Sequence, residues 1–250
     1  MRSPLIEAAC ACHLSLDAAG RCGAENMAID AELLDRADRT GASFLRLYRF
    51  DPPCLSLGRN EPAAHYDHTE IARRGLDVVR RPTGGRAVWH EHEVTYAVAA
   101  PVAAFGSLRN AYHAIHERIA AALRSLGADA TLAPHQPPPP WRVDQPASCF
   151  ATPVGGEVLV AGRKLVGSAQ VRKRSAFLQH GSILLDGSQA VVAAVSRKPH
   201  VASAATTLAA ELGRRVTWDE VVEAVVQAWR DEGTSTSSTL HLDLAPLGVA

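Results

Sequence analysis

Apolar residues recur along this chain with two periods, one typical of helices and one typical of strands. They return every three or four residues over 24–37, and most regularly from Leu108 to Leu126, which predicts two helices that each bury one face. Residues 44–50 instead alternate between apolar and polar, as a half-buried strand does. Short β-rich runs predict the remaining strands, at 54–57, 76–81, 93–99, 157–160, 165–171 and 176–185.

The C-terminal third is predicted to be helical, and both ends of the chain mix helices with strands. Residues 217–220, Thr-Trp-Asp-Glu, have the pattern of a capping box, which marks the first turn of a helix. Elements in this order predict an α+β fold around one central sheet. We expect a single domain over 23–232, a frayed segment at 1–22 and a mobile end at 233–250. The Pro-rich stretch 134–146 is expected to form an extended surface loop.

The composition is that of an ordinary globular protein, with 47% hydrophobic and 21% charged residues. The formal net charge is zero, which excludes a bulk electrostatic attraction to nucleic acid or to an anionic membrane. No apolar run approaches the roughly 20 residues that span a bilayer. Glu7, His13 and Asp17 interrupt the Ala-rich N-terminus where a signal peptide needs an unbroken apolar core. We therefore expect a cytoplasmic protein with neither nucleic acid nor membrane as a partner.

The five cysteines are an odd number, and in a chain of 250 residues without a signal peptide they indicate free thiols. Cys10 and Cys12 lie near Cys22, but the spacing matches no usual zinc site. His90 and His92 would share one face of a strand, but no third ligand accompanies them. The sequence therefore predicts no metal site.

A sharp turn between two β-rich runs is the first candidate for a binding site. Residues 80–90 read Arg-Arg-Pro-Thr-Gly-Gly-Arg-Ala-Val-Trp-His, and the adjacent Gly84 and Gly85 leave the backbone open to a ligand. A pair of glycines is more often part of a simple hairpin. The ligand interpretation gains support from a second pair of segments, 162–170 and 179–182, in which glycine, lysine and histidine interrupt apolar strands.

Cys149 and Lys164 are a candidate nucleophile and the cation that would activate it. A thiol attacks well only as a thiolate, and a nearby ammonium lowers the pKa of a thiol by favouring the charged form. Such a pair can accept an acyl group as a thioester and pass it to an amine, and the lysine can stabilise the oxyanion. Structural interpretations stay open: a cysteine beside Phe is most often a small buried hydrophobe, and a lysine in a hairpin is usually solvated. His180 is likewise either a polar contact in the pocket or a core histidine bonded to backbone.

Five segments of the chain, in this order, resemble the lipoate-protein ligase and octanoyltransferase superfamily, whose core is related to biotin protein ligase. The resemblance covers nearly all of residues 23–231. The matching segments are 24–30 (Ala-Glu-Asn-Met-Ala-Ile-Asp), 47–59, 80–90, 163–170 (Arg-Lys-Leu-Val-Gly-Ser-Ala-Gln) and 178–182 (Leu-Gln-His-Gly-Ser). The resemblance implies an α+β fold with a central mixed, largely antiparallel sheet flanked by helices, of the biotin/lipoate protein ligase catalytic-domain type.

Within the superfamily, the chain is most similar to a branch of octanoyltransferases in which a cysteine followed by Phe is the acyl-thioester nucleophile. Cys149-Phe150 matches that cysteine, and Lys164 matches the lysine that lowers its pKa. The resemblance also implies a set of substrate-binding residues, which are Arg81, Thr83, Gly84, Gly85, Arg86, His90, Gly167, Ser168 and His180.

The reaction implied by the resemblance moves an octanoyl group from octanoyl-acyl carrier protein to a lysine of a lipoyl-domain protein such as the glycine-cleavage H protein. It passes through a thioester on Cys149 and requires no ATP, metal or other cofactor. Two departures from the ligases favour this reaction. Arg86 stands where the ligase turn commonly has a third glycine, and the chain leaves no space after about residue 240 for the additional C-terminal domain that ligases commonly carry.

Three alternatives stay open. The chain could be an ATP-dependent lipoate-protein ligase in which Lys164 contacts an acyl-adenylate and Cys149 is incidental. It could be an amidotransferase that takes its octanoyl group from the H protein, or a non-catalytic acyl-binding paralogue. A requirement for ATP identifies the ligase, exchange of the acyl donor identifies the amidotransferase, and absence of turnover identifies the binding protein.

Overall fold

A computed structural model describes residues 12–134, 155–197, 205–231 and 240–242 of the chain. The predicted nucleophile Cys149, nearly all of the Pro-rich stretch and the Thr/Ser-rich run 234–239 lie outside the described residues. The helices are α1 (Gly23–Thr40), α2 (His68–Arg73), α3 (Leu108–Ser125), α4 (Ala190–Ala194), α5 (Leu208–Leu212) and α6 (Trp218–Asp231).

The strands fall into one large sheet and two small ones. They are β1 (Cys12–Arg21), β2 (Ser43–Phe50), β3 (Cys54–Leu57), β4 (Asp77–Arg80), β5 (Val88–His90), β6 (Glu93–Pro101), β7 (Ala130–Leu132), β8 (Val158–Val160), β9 (Arg163–Lys164), β10 (Val166–Lys173), β11 (Ala176–Leu184) and β12 (Leu240–Leu242). The main sheet has the order β10-β11-β6-β2-β1-β12, and the small sheets have the orders β4-β3-β5 and β7-β8-β9. In the main sheet β10, β11, β6 and β2 pair antiparallel, whereas β2, β1 and β12 pair parallel. The predicted mixed, largely antiparallel sheet is confirmed.

Strand β6 is buried on both faces, and its side chains divide the core into two layers. Val94, Tyr96 and Val98 pack into the cluster that includes residues of α3 and α6. The intervening Ala97 and Ala99 pack with α1 on the opposite face. Because side chains alternate between the two faces of a strand, one strand supplies both layers. The sheet therefore lies between α1 on one side and α3 with α6 on the other.

The helices and strands predicted from periodicity are confirmed, with small shifts at their ends. Helix α3 ends at Ser125, close to the predicted end at Leu126. The capping box is formed as predicted, because the Glu220 carboxylate accepts from the Thr217 N–H at 2.8 Å and the Thr217 hydroxyl accepts from the Glu220 N–H at 3.3 Å. Within the residues that the structure describes, no helix combines the length and apolar character that crossing a bilayer requires.

The expectation of a frayed N-terminal segment is wrong for β1. Residues Cys12–Arg21 pair parallel with β2, so the main sheet extends beyond the predicted span 23–232, and β12 extends it at the other end. Leu14 is the one fully buried side chain in β1, which explains why the apolar pattern is weak there. The strand is held instead by the backbone ladder and by the Asp17 carboxylate, which accepts from the buried Arg46 guanidinium at 3.0 Å.

Candidate active site

A cavity lies where α1, the main sheet and the β4-β3-β5 sheet meet. Its walls are formed by Met27, Tyr48, Phe50, Ser56, Arg81, Val88, His90, Thr95, Gly167, Ser168, Ala169, His180, Gly181 and Ser182. Hydrocarbon and aromatic surface therefore alternates with a small number of hydroxyl and imidazole groups.

The structure brings together about half of the binding residues that the sequence predicts. Arg81, His90, Gly167, Ser168 and His180 all line the cavity. Its walls do not include the other four predicted binding residues, which are Thr83, Gly84, Gly85 and Arg86, or the predicted catalytic residue Lys164. Residues of the glycine turn contact two side chains of the cavity wall. Thr83 bonds to His180, and the carbonyl oxygens of Gly84 and Arg86 accept from Arg81.

Arg81 fixes the glycine turn in place. Its guanidinium donates to the carbonyl oxygens of Ser56 at 3.0 Å, Gly84 at 2.9 Å and Arg86 at 2.6 Å. A planar group with several donors can join separate backbone segments in this way. The turn approaches a second segment so closely that a Cβ atom on Gly58 would lie 2.0 Å from the carbonyl oxygen of Gly85. Glycine at position 58 is therefore required by the packing of the turn.

His180 is held between a buried carboxylate and the turn. Its Nδ1 lies 2.8 Å from Oδ2 of Asp30, and its Nε2 lies 2.6 Å from Oγ1 of Thr83. Asp30 also accepts from the Tyr48 hydroxyl at 2.8 Å and from the Arg46 guanidinium at 3.1 Å. An ionised carboxylate only accepts, so Nδ1 of His180 carries a proton. The alternative that His180 is a core histidine bonded to backbone is wrong, because both of its partners are side chains.

His90 has an equivalent arrangement on the other side of the cavity. Its Nδ1 lies 2.7 Å from the Glu93 carboxylate, and its Nε2 lies 2.7 Å from the Ser56 hydroxyl. The Ser182 hydroxyl donates to the same carboxylate at 3.1 Å, and the imidazole stacks on Phe50 with 4.1 Å between ring centroids. Each cavity histidine is thus fixed in orientation by a buried carboxylate and a hydroxyl group.

Lys164 is buried in an ion pair and not solvated. Its Nζ lies 2.6 Å from the Glu157 carboxylate, and the two side chains are 1% and 2% exposed. Glu157 immediately precedes β8, which pairs antiparallel with β9, so the hairpin brings the two charges together. The Tyr112 hydroxyl lies 3.4 Å from the same carboxylate oxygen. The sequence interpretation of Lys164 as an ordinary solvated hairpin residue is therefore wrong.

A buried histidine on α3 connects this ion pair to the strand behind the cavity. His116 Nδ1 lies 2.8 Å from the Gly156 carbonyl oxygen, and its Nε2 lies 2.8 Å from the Ser168 hydroxyl. Tyr96 and Gln179 complete the network, with the Tyr96 hydroxyl 2.7 Å from Ser168 and 3.0 Å from the Gln179 amide. Burial lowers the pKa of His116 to about 3, so the imidazole is neutral and donates through Nδ1.

Four buried polar residues near the cavity were missed by the sequence analysis, and they are Asp30, Glu93, His116 and Glu157. Asp30 and His116 each break an apolar helical stripe, and Glu93 and Glu157 each stand at the start of an apolar run. A charged or imidazole side chain at such a position indicates a buried partner, and this signal could have found them. Across the described parts of the chain, no group of three or more His, Cys, Asp or Glu residues is placed to hold a metal ion.

Comparison with known families identifies the family of this chain. The family described as the lipoyl protein ligase A/B catalytic domain matches residues 22–230. The chain belongs to this family. A crystal structure of lipoate-protein ligase A bound with ATP shares the fold, with a TM-score of 0.74 at 19% identity over 95% of this chain and 89% of that one.

The chain is also similar to bacterial proteins named octanoyltransferase LipM, and two of them show the extent of the match. The protein from Kyrpidia tusciae is 44% identical over 181 residues, which are 70% of this chain and 66% of that protein. The protein from Lysinibacillus sphaericus is 33% identical over 246 residues, which are 92% of this chain and 88% of that protein. The aligned part of the chain thus spans just under two thirds of the Kyrpidia protein and most of the Lysinibacillus protein.

Proposed function

We propose that this protein is an octanoyltransferase of protein lipoylation. It moves an octanoyl group from octanoyl-acyl carrier protein to a lysine of a lipoyl-domain protein, of which the glycine-cleavage H protein is one example. The observation that carries this proposal is the similarity to octanoyltransferases named LipM. The match to the Lysinibacillus protein covers 92% of the chain. The apolar cavity and the buried Lys164 support it.

The cavity suits a saturated acyl chain better than a charged ligand. Met27, Tyr48, Phe50 and Val88 supply apolar surface, and the donors of Arg81 face the backbone carbonyls of the glycine turn. Each buried methylene group contributes about 0.8 kcal/mol, so the methylene groups of an octanoyl chain contribute about 5 kcal/mol together. This is enough to account for much of the binding of the acyl group.

The chemistry is assigned to Cys149 and Lys164. The Cys149 thiolate attacks the thioester carbonyl of the donor, and the C–S bond of the donor breaks. The donor's sulfur leaves as a thiolate that takes a proton from solvent, and the acyl group remains on Cys149. The Lys164 ammonium favours the thiolate and the developing oxyanion through its charge. The ε-amine of the acceptor lysine then attacks the new thioester, which forms the amide and releases Cys149. Cys149 lies outside the described residues, so this assignment rests on its match to the nucleophile of the octanoyltransferases.

The test is transfer of octanoyl from octanoyl-acyl carrier protein to purified H protein in the absence of ATP, followed by the mass of the H protein. We expect one octanoyl group per H protein, and no transfer by the Cys149→Ala variant. Free octanoate without ATP should give no product. Modification of the H protein only when ATP and free acid are supplied, and unaffected by Cys149→Ala, would instead identify a ligase.

A further inference from the structure

The contact between Lys164 and Glu157 determines what this lysine can do. The ammonium lies 2.6 Å from one carboxylate oxygen, and both side chains are almost completely removed from solvent. Attraction between opposite charges is much stronger in such surroundings than in water. Removing one member of a buried pair leaves an uncompensated charge, so each charge depends on the other. Loss of the Lys164 proton would leave the Glu157 carboxylate as a buried charge without a compensating partner charge.

The other groups around this pair support the charged form. The Tyr112 hydroxyl on α3 reaches the same oxygen of Glu157, which accepts from both donors as an ionised carboxylate does. His116, also on α3, is neutral and holds the carbonyl oxygen of the preceding residue, Gly156. Glu211 on α5 pairs with the exposed Arg163 of β9. The described charged groups around Lys164 thus favour a cation at this position.

We propose that Glu157 is a positioning residue that holds Lys164 as a permanently protonated cation, so that Lys164 acts through its charge and not as a proton acceptor. This inference rests on the proposed function. It assigns a role to Glu157, and it determines the path of the proton in the second half of the reaction.

The proton balance of that half-reaction follows directly. The neutral ε-amine of the acceptor attacks the octanoyl carbonyl, a C–N bond forms, and the C–S bond to Cys149 breaks. The Cys149 sulfur departs as the thiolate that began the first half-reaction, and the amine releases one proton. Because Lys164 already holds all its protons, the proton passes from the amine nitrogen to solvent, and Lys164 stabilises the negative charge during the step.

The first experiment measures the charge of Lys164 in the intact protein. The Nζ nitrogen of lysine has different chemical shifts as ammonium and as amine, and ¹⁵N NMR can follow it between about pH 6 and about pH 10, a range below the ordinary lysine pKa. Its signal is assigned by its absence from the Lys164→Arg variant. We expect an ammonium over the whole range. Conversion of Lys164 to the amine within the pH range in which the protein is active would overturn the proposal. This measurement uses the wild-type protein and so does not depend on a Glu157 variant that folds.

The second experiment compares Glu157→Gln with a matched control, Asp35→Asn. Lys173 on β10 also pairs with a carboxylate, Asp35, but these side chains are 46% and 36% exposed. We expect Glu157→Gln to make Lys164 titrate within the range and to make acyl transfer fall at the same alkaline midpoint, whereas the wild type shows no such fall. Asp35→Asn should change neither the Lys164 signal nor the rate by more than about twofold.

The outcomes separate this inference from the proposed function. A Glu157→Gln protein with the same Nζ titration and pH–rate profile as the wild type overturns the role of Glu157 and leaves octanoyl transfer intact. A wild-type protein that transfers no octanoyl group overturns the proposed function, whatever the NMR shows. An ammonium in the wild type, together with a shared midpoint in Glu157→Gln, supports the proposal.

Discussion

Replacing Gly181 by Ala tests whether β10 and β11 must approach as closely as the structure has them. Gly181 pairs directly with Ser168 across the two strands, and both residues contribute to the cavity wall. An added Cβ would lie 2.4 Å from the Ser168 hydroxyl oxygen, 2.5 Å from the Gly167 carbonyl oxygen and 2.9 Å from the Tyr96 ring. The hydroxyl can rotate away, but the carbonyl belongs to the backbone ladder and the ring is buried. The strands must therefore separate.

The expected cost is that of inserting a methyl group into a packed core, about 1–3 kcal/mol. In a chain of this size each kcal/mol lowers the melting temperature by roughly 2–4 °C, so a loss of about 2 kcal/mol corresponds to roughly 4–8 °C. Urea unfolding and thermal melting followed by circular dichroism measure the loss. Octanoyl transfer should also decrease, because Ser168 forms part of the cavity wall and bonds to His116.

The matched control for this prediction is Gly84→Ala. A Cβ on Gly84 meets no atom within 4 Å, so this substitution should change the free energy of unfolding by less than about 0.5 kcal/mol. A Gly181→Ala protein as stable as the wild type would refute the reasoning. Equal losses in the two variants would refute it too, because the effect would then come from the loss of glycine itself and not from the contact between strands.

Three other substitutions test separate parts of the structure. Thr217→Ala removes the capping hydroxyl of α6 and should cost about 1 kcal/mol in urea unfolding, whereas Thr217→Ser should restore most of it. Burial lowers the pKa of His116 from 6.5 to about 3, so below about pH 6.5 the unfolded chain binds a proton that the folded chain does not. Stability should therefore fall by up to about 1.4 kcal/mol per pH unit between these two values, and His116→Asn should lack this component of the pH dependence. Asp30→Asn removes the charge that faces Arg46 and should cost about 3–5 kcal/mol, and a loss below about 1 kcal/mol would contradict the buried pair.

Much of the fold follows from the apolar pattern because the helices and the central strands bury long periodic runs. Strand β6 carries a continuous apolar run and was predicted within two residues of its end. Strand β1 was missed because it contributes one fully buried side chain, and its parallel partners β2 and β12 are distant in sequence. Such a strand is specified by tertiary pairing, which a local pattern does not contain.

The candidate site shows the same division between local and tertiary information. The cavity residues His90 and His180 stand out in the sequence because each interrupts an apolar strand. Their carboxylate partners, Glu93 and Asp30, also stand out as polar residues in apolar runs. The pairing itself does not show in the local pattern, since Asp30 is 150 positions from His180. Glu157 is only seven positions from Lys164, but pairing them requires the register of the β8–β9 hairpin.

The central claim is that octanoyl is carried as a thioester on Cys149, and intact-mass spectrometry of the protein tests it most directly. The protein is incubated with octanoyl-acyl carrier protein without ATP or acceptor, beside the Cys149→Ala variant. We predict a mass gain of one octanoyl group that hydroxylamine removes, that maps to Cys149 and that is absent from the variant. No adduct on the wild type, or an equal adduct on Cys149→Ala, would contradict the account.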